Sequence, residues 1–219
     1  MNHTRARRAG SLAAALVLGL VAAPPAWAAN PPGVASVGSA GFSKDGAQVD
    51  IAPLAPCAVD GVTSASSEAV VRQGIRFGPG TSSCTTTVVD PTNHTTTTTS
   101  EANGTEFELS TLVGEGGPRL RIGKWRVTCT ATDRGTGTDW GLNGLQGFAG
   151  LPDEIPPAHR HEIRSTTGAV LAVATFNETT TPEQNDGSMA LTMLRITFTP
   201  NSKATGQVIV GTTACSPTP

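Results

Sequence analysis

The densest group of reactive side chains in this chain is His159-Arg160-His161-Glu162, directly after Pro156-Pro157 and Ala158. On a β-strand successive side chains alternate between faces, so His159 and His161 point the same way and Glu162 the other. Two imidazoles on one face supply half of a typical zinc set and need further ligands from elsewhere. They are weak metal candidates beside the plainer reading of a solvated edge strand, and neither a metal nor another cofactor is expected. The His-Glu-x-x-His spacing of a metalloprotease helix does not occur. Asp133, Asp139, Asp153 and Glu154 carry oxygens for calcium but lack the dense Asp/Asn/Gly periodicity of a calcium loop. There is no Gly-x-Ser-x-Gly elbow. Glu106 and Glu108 fall on the solvent side of a short alternating run, unlike the converging pair of a glycosidase. No catalytic residue is expected.

The other chemistry available is oxidation of thiols. Cys57, Cys84, Cys129 and Cys215 are the four cysteines. An even number in an exported chain implies two disulfides, with three pairings open. Cys57–Cys84 and Cys129–Cys215 are favoured, because the first two fall in the N-terminal half. Tyrosine is absent and aromatic residues make up 4% of the chain. Trp140, flanked by Asp139 and Gly141, has the ring a sugar can stack on, and Phe148 lies in the same Gly-rich segment. These two are the possible binding residues, set against a role in the core.

Oxidation requires export, and the N-terminus provides for it. Arg5, Arg7 and Arg8 precede an apolar run from Leu12 to Ala23, then Pro24-Pro25 and the small-x-small tripeptide Ala26-Trp27-Ala28. This is the layout of a secretory signal peptide cleaved after Ala28, and the run is too short for a membrane span. Residues 1–28 are therefore read as a leader and 29–219 as one secreted domain. Cleavage removes three of the 15 Lys+Arg and none of the 17 Asp+Glu, so the formal net charge moves from −2 to −5. An acidic chain with three lysines argues against nucleic acid as a partner, and no later segment is long and apolar enough to be a membrane span in the mature chain.

The elements that would position these groups read as strands. The mature sequence is rich in Thr, Val and Gly, and its short apolar–polar alternations are separated by turn residues. That pattern predicts an all-β, antiparallel β-sandwich, Ig-like or jelly-roll-like. Strands are expected at Gln48–Ile51, Ala69–Phe77, Cys84–Val89 and Thr105–Leu109. The run Leu120–Cys129 changes phase near Gly123, which predicts two strands or one bent strand. Ala169–Phe176, Met189–Phe198 and Val208–Gly211 are expected to form a meander. The phase change at Met193-Leu194 predicts a β-bulge there. Long loops are expected at about 90–104 and 136–157, the first with an exposed strand as the alternative for 92–104, the second packing over one end of the sandwich.

The C-terminal block resembles the choice-of-anchor P family of actinobacterial exported proteins. The matching stretches are Thr175-Phe176-Asn177-Glu178, Met189-Ala190-Leu191-Thr192-Met193-Leu194-Arg195-Ile196 and Val208-Ile209-Val210-Gly211-Thr212. Arg126-Val127-Thr128-Cys129-Thr130-Ala131-Thr132 is similar to the family's middle. The resemblance implies an extracellular all-β domain at or near the cell envelope, not a reaction. The expected function is a secreted, non-enzymatic structural or interaction role, with an extracellular protein or polysaccharide as partner. Two alternatives stand beside it. One is a glycan- or polymer-binding module using Trp140 and the 136–157 loop. The other is a secreted protease inhibitor presenting the 92–104 segment, or a hydrolase.

Overall fold

The computed structural model describes residues 30–183 and 185–217, so the expected leader lies outside the described residues. The elements are β1 (Gly33–Lys44), β2 (Ala47–Leu54), β3 (Cys57–Ala58), β4 (Ser64–Ser67), β5 (Val70–Arg72), β6 (Ile75–Phe77), β7 (Gly80–Asp90), β8 (Thr95–Leu109), β9 (Leu120–Thr132), β10 (Gly135–Asn143), β11 (His159–Arg164), β12 (Val170–Thr180), β13 (Met189–Phe198) and β14 (Ala204–Cys215), with one 3-10 turn at Val113–Glu115. The first sheet has the order β11-β12-β13-β14-β1-β2, with β3 also paired to β1. The second runs β10-β9-β8. Both β7 and β6 pair with β8, and they carry β4 and β5 on their far sides. Every pairing is antiparallel, and the two sheets pack face to face as an all-β sandwich.

The core follows from alternation plus a few large side chains. All six phenylalanines are paired: Phe42 with Phe198, Phe77 with Phe107 and Phe148 with Phe176, at ring-centroid distances of 5.3, 5.1 and 5.5 Å. Such pairs add about 0.5–1.5 kcal/mol each beyond burial. Both disulfides cross between the sheets. Cys57 on β3 joins Cys84 on β7, and Cys129 on β9 joins Cys215 on β14.

Strand β1, between β14 and β2, lies outside the strands expected from sequence. Its Gly, Ala and Ser residues bury little area, so its alternation is faint, yet smallness is what the position needs. A Cβ on Gly38 would sit 2.5 Å from Phe77 Cε1 of the opposite sheet. The hairpin to β2 turns on Asp45-Gly46, both at positive φ (49° and 81°), the conformation that Asp-Gly favours in a two-residue turn.

The phase change in β13 is real, since Met193 and Leu194 are both buried, but it needs no bulge. The registers of β13 with β12 and β14 run through this point without a shift. Asn177 and Gly211, the residues opposite Met193, adopt left-handed φ of 53° and 68°, and Ala158, bonded to Asn177 from outside β11, has φ 53°. The pleat inverts on neighbouring strands at once, so no extra residue is required. The second sheet does the same on a smaller scale, where Glu106 (φ 54°) faces Gly123. Leu120–Thr132 is accordingly one continuous strand.

Neither expected loop holds over its full length. Residues 95–104 belong to β8, which pairs with β7 and β9, and only 91–94 turn the chain. Its threonines are β-branched and suit a pleated surface. Residues 135–143 form β10 on the edge of the second sheet. The segment 144–158 is irregular and is anchored to β9 by the Arg121–Gln146 bridge.

Candidate binding groove

A shallow groove of about 740 Å³ crosses the second sheet from β4 to β10. Its floor is one register row: Gly80 on β7, Gly104 on β8, Trp125 on β9 and Leu142 on β10, with Ser67 of β4 opposite Gly80. Trp125 is buried and Leu142 packs against the core, so this row turns its side chains into the sandwich and offers backbone to the groove. The glycines are required by close approach. A Cβ on Gly104 would fall within the Trp125 indole, and one on Gly80 would lie 2.7 Å from both Val37 methyls.

The rows on either side face outward by alternation. One carries Ser66, Thr81, Asn103 and Arg126, the other Thr105, Lys124 and Asn143. Three of these side chains are held by hydrogen bonds. The Arg126 Nη2 donates to Glu101 at 2.7 Å and the Asn103 amide donates to the same carboxylate at 2.7 Å. The Arg126 hydrogen bond is the main reason the Glu101 carboxyl sits below its ordinary pKa, with partial burial opposing it and Asn103 adding to it. Thr105 Oγ1 donates to the Pro79 carbonyl at 3.0 Å. At the usual strand spacing the five strands give a trough roughly 20 Å long, running across the strands.

The residues singled out from the sequence lie elsewhere. Trp140 is half-buried on the inward face of β10 and packs against the core, so its ring is no exposed platform. An edge strand that buries one face has to fill it, and Trp140 does so. Phe148 is 6% exposed and meets Phe176 edge-on at 70°. His159 and His161 do share a face of β11, and His161 lies 6.3 Å from Phe148 by ring centroids. Burial lowers the His161 pKa, the neighbouring His159 lowers it further, and Glu162 opposes them. Among the described residues no three His, Cys, Asp or Glu side chains converge as a metal set. A second cavity, about 640 Å³, lies between β11 and the 145–149 segment, walled by Phe148, Ile163 and His161.

Only Gly141, Leu142 and Asn143 of the groove fall in a stretch the sequence pointed to, the 136–157 segment. The outward-facing residues from the other strands are ordinary polar strand residues, and the row forms only because five strands pair in this register. The one available signal is a pair of glycines, Gly80 and Gly104, inside β-prone runs, a mark of close backbone approach.

Fold and site together define a disulfide-stapled antiparallel β-sandwich with a polar trough on one outer face. No family model, curated protein or solved structure matches the chain. Two disulfides indicate an oxidising compartment. Among the described residues, no helix is long and apolar enough to cross a membrane.

Proposed function

We propose that this chain is a secreted, non-enzymatic interaction protein that holds an extended, hydroxyl-rich extracellular polymer in the groove of the second sheet. The leader pattern and the two disulfides support export. The resemblance of the C-terminal strands to exported envelope proteins agrees with that setting. The observation that carries the binding role is the groove's make-up: a backbone floor between two rows of polar side chains, with Arg126 and Asn103 both pinned by Glu101. Preorganised donors and acceptors along a trough suit a sugar chain, whose hydroxyls repeat along its length, and lose little side-chain entropy on binding. The contact surface is therefore the groove, which takes in Gly141, Leu142 and Asn143 just after Trp140 but not the Trp140 ring itself.

The test is retention of purified mature protein on polysaccharide and cell-wall resins, with the Asn103→Ala/Arg126→Ala double variant beside it. Wild-type protein is expected to bind at least one glycan resin, and the variant to bind at least about tenfold more weakly, roughly 1.4 kcal/mol. Equal recovery of both on every resin would exclude the groove as the contact surface. N-terminal sequencing of the protein in culture medium is expected to begin at Ala29, and finding the chain only inside cells with its leader uncut would remove the secretion step.

A further inference from the structure

Sheet edges invite pairing with other strands, and folded proteins guard them with short strands, charge, proline or β-bulges. Most edges of this sandwich are guarded. β11 carries Arg160, Glu162 and Arg164 and follows Pro156-Pro157. β2 carries Asp50 and Pro53, and β3 beside it has two residues. β10 carries Asp139 and alternates with glycine. β4 and β5 have four and three residues, and β5 ends in Arg72.

The outer half of β7 differs. β4 covers β7 only from Gly80 to Ser83, and the Cys84 amide bonds to Thr63. From Thr85 to Val88 the chain pairs with β8 alone, Val89 falls in a register shift before Asp90, and among the described residues no backbone bond is made on the other side of this stretch. The segment is Thr85-Thr86-Thr87-Val88-Val89. All five residues are β-branched and exposed, with no charge and no proline. Val88 and Val89 are 59% and 66% exposed, and Val89 is the most exposed large hydrophobic side chain among the described residues.

We propose that this free edge is a self-association site, pairing antiparallel with the same segment of a second copy about a two-fold axis near Thr87. A two-fold contact must be self-complementary. This one is: threonines and valines of one copy meet those of the other, and no charge is brought against its like. The second sheets of the two copies join into one continuous sheet. Five residues per copy bury well under the ~1,200 Å² of a stable interface, so the dimer is weak and concentration-dependent.

Sedimentation velocity on mature protein from about 10 μM to about 1 mM tests this, a range that brackets the weak affinity expected of so small a contact. The weight-average mass is expected to rise toward that of a dimer. Amide exchange is expected to slow with concentration at 85–89 and nowhere else. The variant Thr87→Lys/Val89→Lys is expected to stay monomeric at the same melting temperature. A control with the same added charge far away, Gln48→Lys/Thr205→Lys, is expected to associate like wild type. The mature chain is acidic, so generic electrostatics would make both lysine variants associate more, whereas edge pairing makes one associate less. Monomer throughout the range, or equal association of the two variants, overturns the proposal.

Discussion

Gly104 shows how a missing side chain shapes this molecule. Its Cα lies against the Trp125 indole, so any Cβ forces the ring or the strand to move. Gly104→Ala is expected to cost about 1–3 kcal/mol, the usual penalty for overpacking. Thermal unfolding of the purified variant checks it, and an unchanged melting temperature would contradict the packing described for the groove floor. His161 makes a second prediction at this scale. Its pKa is lowered in the fold, so the unfolded chain binds the proton more readily. Stability is then full above the ordinary imidazole value near 6.5 and falls as pH drops through that value toward the lowered one. Glu101, also lowered, adds a separate loss at more acid pH, below the ordinary carboxylate range. Urea midpoints measured from pH 7.5 downward should show the earlier loss in wild type and not in His161→Gln.

The elements are joined by coordinated irregularities. Ala158, Asn177 and Gly211 sit in line across three chain segments at positive φ, and they let the pleat of the first sheet invert without losing register. Positive φ is comfortable for glycine, tolerable for asparagine and poor for β-branched residues. Asn177→Gly is therefore expected to hold or raise the melting temperature, and Asn177→Val to lower stability by about 1–2 kcal/mol. The opposite order, valine at or above glycine, would mean that the left-handed turn at Asn177 is not what the strand needs. The same inversion moves Met189, Leu191 and Met193 onto the face shared with Leu194, Ile196 and Phe198, so β13 buries two runs of opposite phase.

At the scale of the whole molecule, two cross-links tie the sheets together at different loop lengths. Cys57–Cys84 spans 27 residues and Cys129–Cys215 spans 86. In the chain-entropy view their removal costs about 3.5 and about 4.5 kcal/mol. Urea unfolding of Cys57→Ser/Cys84→Ser and Cys129→Ser/Cys215→Ser should rank them in that order. The second pair joins the last strand to β9, so its loss should also speed amide exchange at the Cys215 end of β14 and the Met189 end of β13. Surface ion pairs such as Glu108 with Arg119 and Arg121 are exposed and add little by comparison.

The β-sandwich and the presence of two disulfides were legible in the chain, because alternation of period two and cysteine parity are local or countable properties. The meander of β12, β13 and β14 was legible for the same reason: long Val-, Leu- and Ile-rich runs admit few other conformations. Strand β1 escaped because its small residues carry almost no hydrophobic contrast, although the Asp45-Gly46 turn beside it was a signal. The long loop at 90–104 dissolved into a hairpin because a threonine run is polar by composition and extended by backbone preference, and only a partner strand decides between the two. Trp140 faces inward because of which side of its edge strand the core lies on, and Phe148 because the irregular segment folds it against Phe176, choices settled by packing. The groove rows and the bare edge of β7 are likewise tertiary facts: which residues become neighbours depends on register between strands far apart in the chain, and which backbone groups remain unpaired depends on where the neighbouring strand stops.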